Sequence, residues 1–283
     1  MGKHFQIILG CAVAIDLLVW SFILFPAEAK NSELYFLPVG QGDSSLVNLA
    51  GGAQLLIDGG PINGKAQANL EKILGINDRY VDLVMISHPQ LDHYGGLIEV
   101  LKNYEVGAVL TDGQTAESAA WQELEKVIRD KKIPQITLST GDKIKYGDSV
   151  LDILSPQKGE WAKDVNDLSL VGILEVNGIK FLFGGDMSAD KEKQLADLYD
   201  VNADILKVSH HGSKYSSNSD FLKEVSPAVS VIEVGKNSYG HPTKEALGRL
   251  ANFSSQSYRT DLNGLVKIIL ENGKLKVYTE TSS

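Results

Sequence analysis

Residues 82–88 read DLVMISH and residues 204–210 read DILKVSH, so one short pattern occurs twice in the chain. In each copy a run of apolar residues, which is typical of a buried β-strand, ends in Ser-His. The two pairs are Ser87-His88 and Ser209-His210. Because a polar pair closes the same kind of strand twice, the pattern indicates an internal repeat of one structural unit.

The residues before each copy strengthen the repeat. Residues 45–60 contain a strand, a Gly-Gly turn and a second strand that ends in Asp58-Gly59-Gly60. Residues 169–186 contain a strand, an Asn-Gly turn and a second strand that ends in Gly184-Gly185-Asp186. We expect a helix after each hairpin, and two like halves facing each other would place His88 and His210 on opposite sides of a shared cleft. Chance similarity between two hydrophobic hairpins is the alternative interpretation.

The rest of the chain alternates short apolar runs with Gly, Asp and Asn, which predicts a mixture of strands and helices. The predicted strands are 33–38, 45–49, 54–58, 83–87, 108–110, 136–138, 150–154, 168–176, 180–183, 205–208, 229–233, 265–270 and 274–278. The predicted helices are 66–74, 96–103, 118–130, 189–200, 220–225 and 244–252. Hairpin-like pairs among the strands favour stacked α/β layers over a single all-parallel sheet.

Composition limits the class of protein. The chain has 283 residues, of which 43% are hydrophobic and 22% are charged. This balance excludes a disordered tail, a collagen-like fibre and a protein with many membrane spans, and it can supply a sizeable core. A single Cys excludes an intrachain disulfide and a Cys-based zinc knuckle. The formal net charge of −9 means that bulk positive charge could not hold a nucleic acid.

The N-terminal segment differs in composition from the chain as a whole. Residues 7–25 are apolar apart from Asp16 and Ser21, and a helix of that length rises about 28 Å, close to the thickness of a bilayer core. Ala27-Glu28-Ala29 follows and resembles a signal-peptide cleavage site. We expect residues 1–29 to be a membrane anchor or a cleaved signal peptide, and residues 30–283 to be one domain outside the cytoplasm. A buried core helix is the third interpretation.

Polar side chains follow several of the predicted strands. The stretch His88-Pro89-Gln90-Leu91-Asp92-His93 comes directly after one strand, Asp186 closes a second, His210-His211 follow a third, and Tyr239-Gly240-His241-Pro242 lies beyond a fourth. Five of the six histidines therefore stand in three loops. Imidazole and carboxylate groups suit Zn, Mn or Fe, so this clustering predicts a metal or catalytic site. For any one histidine alone, a capping or packing role is the simpler interpretation.

These motifs carry a family resemblance. The HxxxDH motif, the Gly-Asp loop and the duplicated pattern resemble the metallo-β-lactamase superfamily. From about residue 33 to residue 280 the chain also resembles the C-terminal metallo-hydrolase domain of the ComEC/Rec2 competence proteins. The motifs that carry this resemblance are Phe36-x-x-Val39-Gly40-Gln41-Gly42-Asp43-Ser44, Leu56-Ile57-Asp58-Gly59-Gly60, Asn166-Asp167-x-Ser169-Leu170-Val171, Lys207-Val208-x-His210-His211-Gly212-Ser213, Tyr239-Gly240-His241-Pro242 and Tyr258-Arg259-Thr260-Asp261.

The resemblance implies a four-layer αββα sandwich with duplicated halves behind the apolar N-terminal helix, and a metal cleft along one edge of the paired sheets. It implies a metal-dependent hydrolase of the phosphodiesterase or nuclease type, with one or two Zn or Mn ions. DNA taken up during transformation, in single-stranded form, is the substrate it implies. We expect a stand-alone version of the domain, without the channel-forming membrane region of the family, and a separate competence channel protein as its partner.

The family pattern also implies the metal ligands, and this chain departs from it at two positions. One site would use His88 and residue 90, but the middle histidine of the family motif is here Gln90. Glutamine is neutral and a poorer ligand than imidazole, so we expect this site to be weak or empty. Pro38 stands where the family usually has Asp. The other site would use intact residues, namely Asp92, His93 and Asp186, with Asp186 bridging the two ions if both bind.

Further ligands are expected from the second half of the chain. The repeat favours His210 as the ligand of the His-His loop, with His211 as the competing choice. Asp167 stands near the position where many superfamily members place another histidine. We expect His241 to be either a ligand or a general acid near the substrate.

The mechanism that the resemblance implies assigns further roles. A bound divalent metal would lower the pKa of a water molecule, and Asp58 or Asp92 would accept the proton or orient the resulting hydroxide. Arg259 and Lys214 would neutralise charge that develops on the phosphate. Loop amides of residues 39–44 and 211–213 would hold the phosphates, with substrate contacts at Gln41, Asp43 and Ser213. Simple turn chemistry is the alternative explanation of the glycines in these loops.

Three functions compete at this point. The first is a phosphodiesterase or nuclease at the cell envelope that helps DNA uptake. The second is a hydrolase of another phosphoester, such as a phosphocholine ester on a wall polymer, because an acidic surface suits a small substrate at least as well as DNA. The third is a degenerate, non-catalytic binding protein, which Gln90 motivates.

Overall fold

Two β-sheets pack face to face, and α-helices cover the outer face of each. The computed structural model describes residues 2–24, 31–254, 256–271 and 273–281. The four layers confirm the αββα sandwich that the resemblance implies.

The elements follow one another along the chain in a mixed order. The strands are β1 (Ser32–Phe36), β2 (Ser45–Asn48), β3 (Gln54–Ile57), β4 (Tyr80–Met85), β5 (Glu105–Thr111), β6 (Gln135–Thr137), β7 (Lys143–Tyr146), β8 (Ser149–Ser155), β9 (Val171–Val176), β10 (Ile179–Phe183), β11 (Ile205–Lys207), β12 (Val229–Ile232), β13 (Gln256–Arg259), β14 (Val266–Glu271) and β15 (Lys274–Thr279). The helices are α1 (Lys3–Leu24), α2 (Lys65–Leu74), α3 (Leu91–Tyr94), α4 (Leu97–Asn103), α5 (Ala119–Asp130), α6 (Ala189–Leu198), α7 (Ser219–Val225), α8 (Lys244–Phe253) and α9 (Thr260–Asn263).

The two sheets share one topology. The first sheet has the strand order β15-β14-β1-β2-β3-β4-β5-β6, and the second has the order β13-β12-β11-β10-β9-β8-β7. In the first sheet an antiparallel hairpin, β2–β3, continues into parallel strands β4, β5 and β6. In the second sheet the hairpin β9–β10 continues into β11, β12 and β13 in the same way. This equivalence is the duplication that the repeated sequence predicts.

Apolar side chains fill the space between the layers. Phe36 of the first sheet meets Phe181 of the second edge to face, with ring centroids 5.6 Å apart. Outside the first sheet, α5 buries Trp121, Leu124 and its other apolar positions at helical spacing, as the sequence predicts. Outside the second sheet, α7 buries Phe221 and its neighbours. Each helix therefore covers a sheet face that would otherwise be exposed to water.

The N-terminal segment forms α1. Among the described residues, no helix combines the length and the apolar character that crossing a membrane requires. The predicted cleavage site at Ala27–Ala29, and the boundary between residues 29 and 30, lie outside the described residues. The choice between an anchor and a signal peptide stays a prediction.

Candidate metal centre

The predicted ligands follow the carboxyl ends of parallel strands in both sheets. Asp58 follows β3 and His88 follows β4, whereas Asp186 follows β10 and His210-His211 follow β11. Because the carboxyl ends of parallel strands meet at one edge of a sheet, these loops converge on one cleft. The cleft has a volume of about 410 Å³. Its lining residues are Gln41, Pro61, Gln90, Leu91, Asp92, Asp186, His210, His211, Tyr239 and His241.

His93 lies at the centre of the cluster and is fully buried. Its Nδ1 lies 2.9 Å from Oδ2 of Asp58, and its Nε2 lies 3.3 Å from Oδ2 of Asp186. Asp58 also accepts hydrogen bonds from the backbone N–H and the hydroxyl of Ser87, at 2.8 and 2.7 Å. Both Asp58 oxygens are therefore occupied behind His93. This geometry favours a role for Asp58 in orienting the His93 imidazole.

His88 presents one free ring nitrogen to the same cluster. The Ser87 hydroxyl donates to Asp58, so it can only accept from Nδ1 of His88, which lies 3.0 Å away. This arrangement places a proton on Nδ1 of His88 and leaves a lone pair on Nε2. That Nε2 is buried and has no hydrogen-bond partner among the described residues.

His211 contributes from the second half. Its Nδ1 donates to the carbonyl oxygen of Glu233 at 2.9 Å, which leaves Nε2 as the atom free to bind a cation. This Nε2 lies 3.4 Å from Oδ2 of Asp92 and 3.5 Å from Oδ2 of Asp186. Its neighbour His210 is a third exposed, and its Nε2 is 3.9 Å from Asp186. The geometry therefore favours His211 over His210 as the ligand from this loop, the reverse of the choice made from the repeat.

The donor set fits a divalent metal. The Nε2 atoms of His88, His93 and His211 and Oδ1 of Asp186 are buried without a hydrogen-bond partner among the described residues. Ligand atoms of His88, His93 and Asp186 lie within 4.8 Å of one another, and so do those of Asp92, His93 and His211. Unpaired buried polar atoms are costly, and bound cations would give them partners. Imidazole and carboxylate are ligands that Zn and Mn accept.

The charges of the cluster also fit a bound divalent metal. Burial raises the pKa of the Asp92 carboxyl, but the nearby imidazoles of His211 and His93 outweigh it and hold that pKa at about 2. Burial lowers the pKa of His211, yet the carboxylates of Asp186 and Asp43 outweigh it and raise that pKa to about 10. Carboxylate charge is thus balanced by protonated histidines, and a divalent cation would take their place and release the protons.

Gln90 lies at the cleft, whereas Asp167 lies outside the candidate metal cluster. The side-chain amide of Gln90 lines the cleft and donates to Oδ1 of Asn166, which the sequence analysis placed in a family motif but not among the candidate site residues. Asp167 accepts from the backbone N–H of Ser188 at 3.0 Å and belongs to none of the metal-binding groups found among the described residues. The ligand role that the resemblance suggests for Asp167 thus has no support in this geometry.

His241 and Tyr239 form the outer wall of the cleft. The ring of His241 lies 5.6 Å from that of His210 and 5.9 Å from that of Tyr239. Burial, together with the charges of His210 and His211, lowers the pKa of His241. Its Nδ1 is buried without a hydrogen-bond partner among the described residues. His241 therefore lines the cleft, and its role as a ligand or a general acid stays a prediction.

The predicted substrate-binding residues separate into two groups. Gln41 lines the cleft. The hydroxyl of Ser213 is buried and accepts from the N–H of Tyr215, and Nζ of Lys214 lies 4.9 Å from the centre of the Tyr215 ring. Arg259 makes a two-pronged ion pair with Asp261, with its shorter contact at 2.7 Å. Ser213, Lys214 and Arg259 are not among the residues that line the cleft.

Asp43 is also not a substrate contact, because it lies buried beneath the histidines. It pairs with the ammonium group of Lys207, and its Oδ1 lies 3.1 Å from Nδ1 of His211. Burial lowers the pKa of Lys207, but the charges of Asp43, Asp186 and Glu233 outweigh this and raise it. Sequence reasoning missed Lys207, although a charged residue within an apolar strand was the available signal.

Comparisons with known proteins agree with this architecture. Residues 37–235 match the Metallo-beta-lactamase superfamily. The metallo-beta-lactamase fold protein YhfI from Bacillus subtilis superposes with a TM-score of 0.55 at 12% identity, covering 84% of this chain and all of that one. Zn²⁺-bound PqqB from Methylobacterium extorquens superposes with a TM-score of 0.53 at 10% identity, covering 80% of this chain and 98% of that one. At these identities the superpositions show the fold alone.

Two curated relatives confirm the resemblance to competence proteins. ComE operon protein 3 of Bacillus subtilis is 26% identical over 279 residues, covering 91% of this chain and 36% of that protein. Recombination protein 2 of Haemophilus influenzae is 26% identical over 275 residues, covering 95% of this chain and 33% of that protein. The chain thus spans about a third of the length of these relatives. The superfamily match covers most of the chain, including strands of both sheets and the His210-His211 loop. The chain therefore belongs to the metallo-beta-lactamase superfamily.

Proposed function

We propose that this protein is a metal-dependent phosphodiesterase that cuts DNA at the cell envelope. One observation carries the proposal: buried Nε2 atoms of His88, His93 and His211, without hydrogen-bond partners among the described residues, gather around Asp186 at the base of an open cleft. Membership of the superfamily supports the broader function of a metal-dependent hydrolase. The location at the envelope rests on the apolar residues 7–25 of the sequence.

His88 and His93 with Asp186 would hold a cation, and Asp92 and His211 offer further ligands beside them. A bound divalent metal supplies a Lewis acid, which polarises a phosphoryl oxygen and lowers the pKa of a water molecule. Asp58 keeps Nε2 of His93 turned toward Asp186 by holding Nδ1 on the other side of the ring.

Two side chains of the cleft are placed to move a proton. Asp92 is a third exposed, whereas the other carboxylates of the cluster, Asp43, Asp58 and Asp186, are almost fully buried. Asp92 is therefore the cluster carboxylate that a substrate or a water molecule can reach. Because its pKa is lowered, His241 is neutral near pH 7 and suits a proton acceptor better than the general acid that the sequence suggests.

DNA as the substrate is supported by the cleft wall and by the relatives. Tyr239 is 74% exposed while it lines the cleft, and exposed aromatic rings are the surfaces on which single-stranded bases stack. Lys65 lies beside Gly40, next to Gln41 of the cleft wall, and offers a local cation for a phosphate. Two relatives carry the names "Competence protein ComA" and "Recombination protein 2". The phosphates would thus be held locally, which fits the net charge of −9.

The net charge also favours a second candidate, a hydrolase of a small phosphoester such as a phosphocholine ester. A small substrate would need the metal and the cleft floor but not Tyr239. The role of the Tyr239 ring therefore distinguishes the two candidates.

The test uses the purified full chain, stripped with a chelator and reloaded with Mn²⁺ or Zn²⁺. We expect cleavage of labelled single-stranded DNA, and Asp186→Asn should reduce the rate at least a hundredfold. Asp167→Asn makes the same chemical change outside the cluster and should stay close to the wild type. Tyr239→Leu should weaken DNA cleavage while leaving hydrolysis of p-nitrophenyl phosphorylcholine unchanged.

Other results would select other functions. Hydrolysis of p-nitrophenyl phosphorylcholine without cleavage of DNA would establish the small-phosphoester hydrolase. Metal binding without hydrolysis of either substrate would establish a binding protein, which is the function that Gln90 motivates. A chain that retains no divalent metal after dialysis would contradict every enzymatic function proposed.

A further inference from the structure

The turn that carries His210 and His211 has a strained backbone. The φ angles of His210, His211 and Gly212 are 51°, 52° and 78°, so three consecutive residues are left-handed. For residues other than glycine this conformation costs about 1–2 kcal/mol each. Such strain persists only where surrounding contacts determine the backbone. Something outside the turn must therefore hold it.

The next segment of the chain, residues 213–218, supplies the connection. The Ser216 hydroxyl donates to the carbonyl oxygen of Ser209 at 2.8 Å, directly before the strained turn. Ser217, at φ 53°, is itself left-handed. Ser216 and Ser217 are fully buried, so their backbone groups depend on protein partners rather than on water.

Glu192 of α6 holds this segment from one side. Its Oε1 accepts from the N–H of Ser217 at 2.6 Å, and its Oε2 accepts from the N–H of Asn218 at 3.1 Å. The Glu192 side chain is fully buried. The side-chain amide of Asn218 also donates to Oε2, at 3.4 Å. A buried carboxylate with several donors in one loop is well suited to fix the path of that loop.

Arg249 of α8 holds the same segment from the other side. Its Nε donates to the carbonyl oxygen of Ser217 at 2.7 Å, and a terminal nitrogen donates to those of Ser216 and Lys214 at 2.8 and 3.2 Å. The N–H of Ser217 is thus held by Glu192 and its C=O by Arg249. The planar guanidinium can reach three carbonyl oxygens at once, which the single ammonium of a lysine cannot do in the same geometry.

We propose that Glu192 and Arg249 are positioning residues that hold the strained His210-His211 turn in a metal-ready conformation. This inference rests on the proposed function for its purpose, but its contacts are independent of the substrate. Neither residue lines the cleft, so both act through Ser216, Ser217 and the turn rather than on a reacting atom.

The decisive variant is Arg249→Met in the full chain. We expect metal affinity, measured by competition with a chromogenic chelator, to fall about tenfold to a hundredfold, as it does when a group that orients a ligand is lost. Hydrogen exchange of the amides of residues 209–218 should become faster. Arg249→Lys should restore part of both. Glu192→Gln, which keeps one acceptor oxygen, should show the same two changes to a smaller extent.

Arg79→Met is the matched control. Arg79 is also half-buried, and it donates to the backbone carbonyl of Ile76 and pairs with Glu71. It lies far along the chain from the His210-His211 turn. It should alter neither metal affinity nor exchange of residues 209–218. Unchanged metal affinity and unchanged exchange in Arg249→Met would overturn the proposal. A wild type that binds metal but cleaves no phosphodiester would contradict the proposed function. The comparison of Arg249→Met with wild type would still test the positioning role, because it measures metal affinity and hydrogen exchange.

Discussion

Gln90 stands where the family resemblance implies a histidine ligand of a second metal ion. Imidazole at this position would add a ligand beside His88, whereas the amide of Gln90 instead donates to Asn166. The ligands around Asp186 do not depend on residue 90, because His93 and His211 approach Asp186 from other loops. We therefore expect one cation to bind with Gln90 in place, and a second to depend on residue 90.

Gln90→His is expected to raise the metal content by about one ion per chain, because imidazole is the stronger ligand for Zn and Mn. Elemental analysis after dialysis measures this directly. Gln90→Ala removes the same bond to Asn166 without adding a ligand and should show no gain. Equal metal content in all three proteins would mean that residue 90 is not a ligand position.

Glu192 makes the stability of the protein depend on pH. Burial raises its pKa to about 7, more than the hydrogen bonds from Ser217 and Asn218 lower it. The folded chain therefore keeps a proton that the unfolded chain releases above about pH 4.5, so this contribution to stability is complete below that pH and is lost as the pH rises to 7.

The expected loss of unfolding free energy between pH 5 and pH 8 is about 3 kcal/mol larger in the wild type than in Glu192→Gln. Urea unfolding at the two pH values measures it. The difference between the two proteins isolates Glu192 from other groups that titrate in this range. Parallel pH profiles would show that the Glu192 carboxyl is already ionised at pH 5 in the folded chain.

At the scale of elements, α5 shows how a local pattern and a tertiary contact combine. The hydroxyl of Ser118 caps the helix by accepting from the N–H of Trp121 at 3.1 Å, and it also bonds the hydroxyl of Tyr94 at 2.7 Å. The rings of Tyr94 and Trp121 meet edge to face, 4.9 Å apart. The cap therefore ties α5 to α3, the short helix that carries Asp92 and His93.

Ser118→Ala should lower the free energy of unfolding by about 1–2 kcal/mol, because both the cap and the bond to Tyr94 are lost. Denaturant unfolding at constant pH checks the value. Ser118→Thr retains the hydroxyl and should recover most of the loss. A change below about 0.5 kcal/mol would show that water replaces the cap.

Two strands were missed by the sequence prediction, and both are exposed. Residues of β7, Lys143–Tyr146, and of β13, Gln256–Arg259, are mostly polar and lie at the edge of the second sheet. Such strands lack the apolar alternation that marks a buried strand, and backbone pairing with β8 and β12 is what forms them. The strand predicted at 168–176 begins only at Val171, because Val165–Leu168 forms a 3-10 turn.

Across the whole molecule, polar contacts join the two halves directly beneath the cleft. Glu233 of the second half accepts from the N–H of Ser44 at 3.0 Å and from the hydroxyl of Ser45 at 3.1 Å. Asp43 pairs with Lys207 beside them. A cation held between His93 of the first half and Asp186 of the second would connect the halves once more.

Metal removal should therefore destabilise the whole sandwich. A ligand that binds only the folded state adds about 4 kcal/mol at a thousand times its dissociation constant, which corresponds to roughly 10 °C in a domain of this size. Thermal unfolding with Mn²⁺ and then with excess chelator measures the shift. Asp186→Asn should remove most of it, and equal melting temperatures in wild type with and without metal would contradict a site between the halves.

The sequence by itself determined the repeat, the strands that apolar runs mark, and the loops in which the histidines stand, because each depends on residues close together in the chain. The tertiary structure alone decided that His211 rather than His210 faces Asp186, that Asp58 lies behind His93, and that Lys207 neutralises Asp43. These contacts join residues far apart in the sequence, and their partners are chosen by how two sheets pack, which no local spacing records.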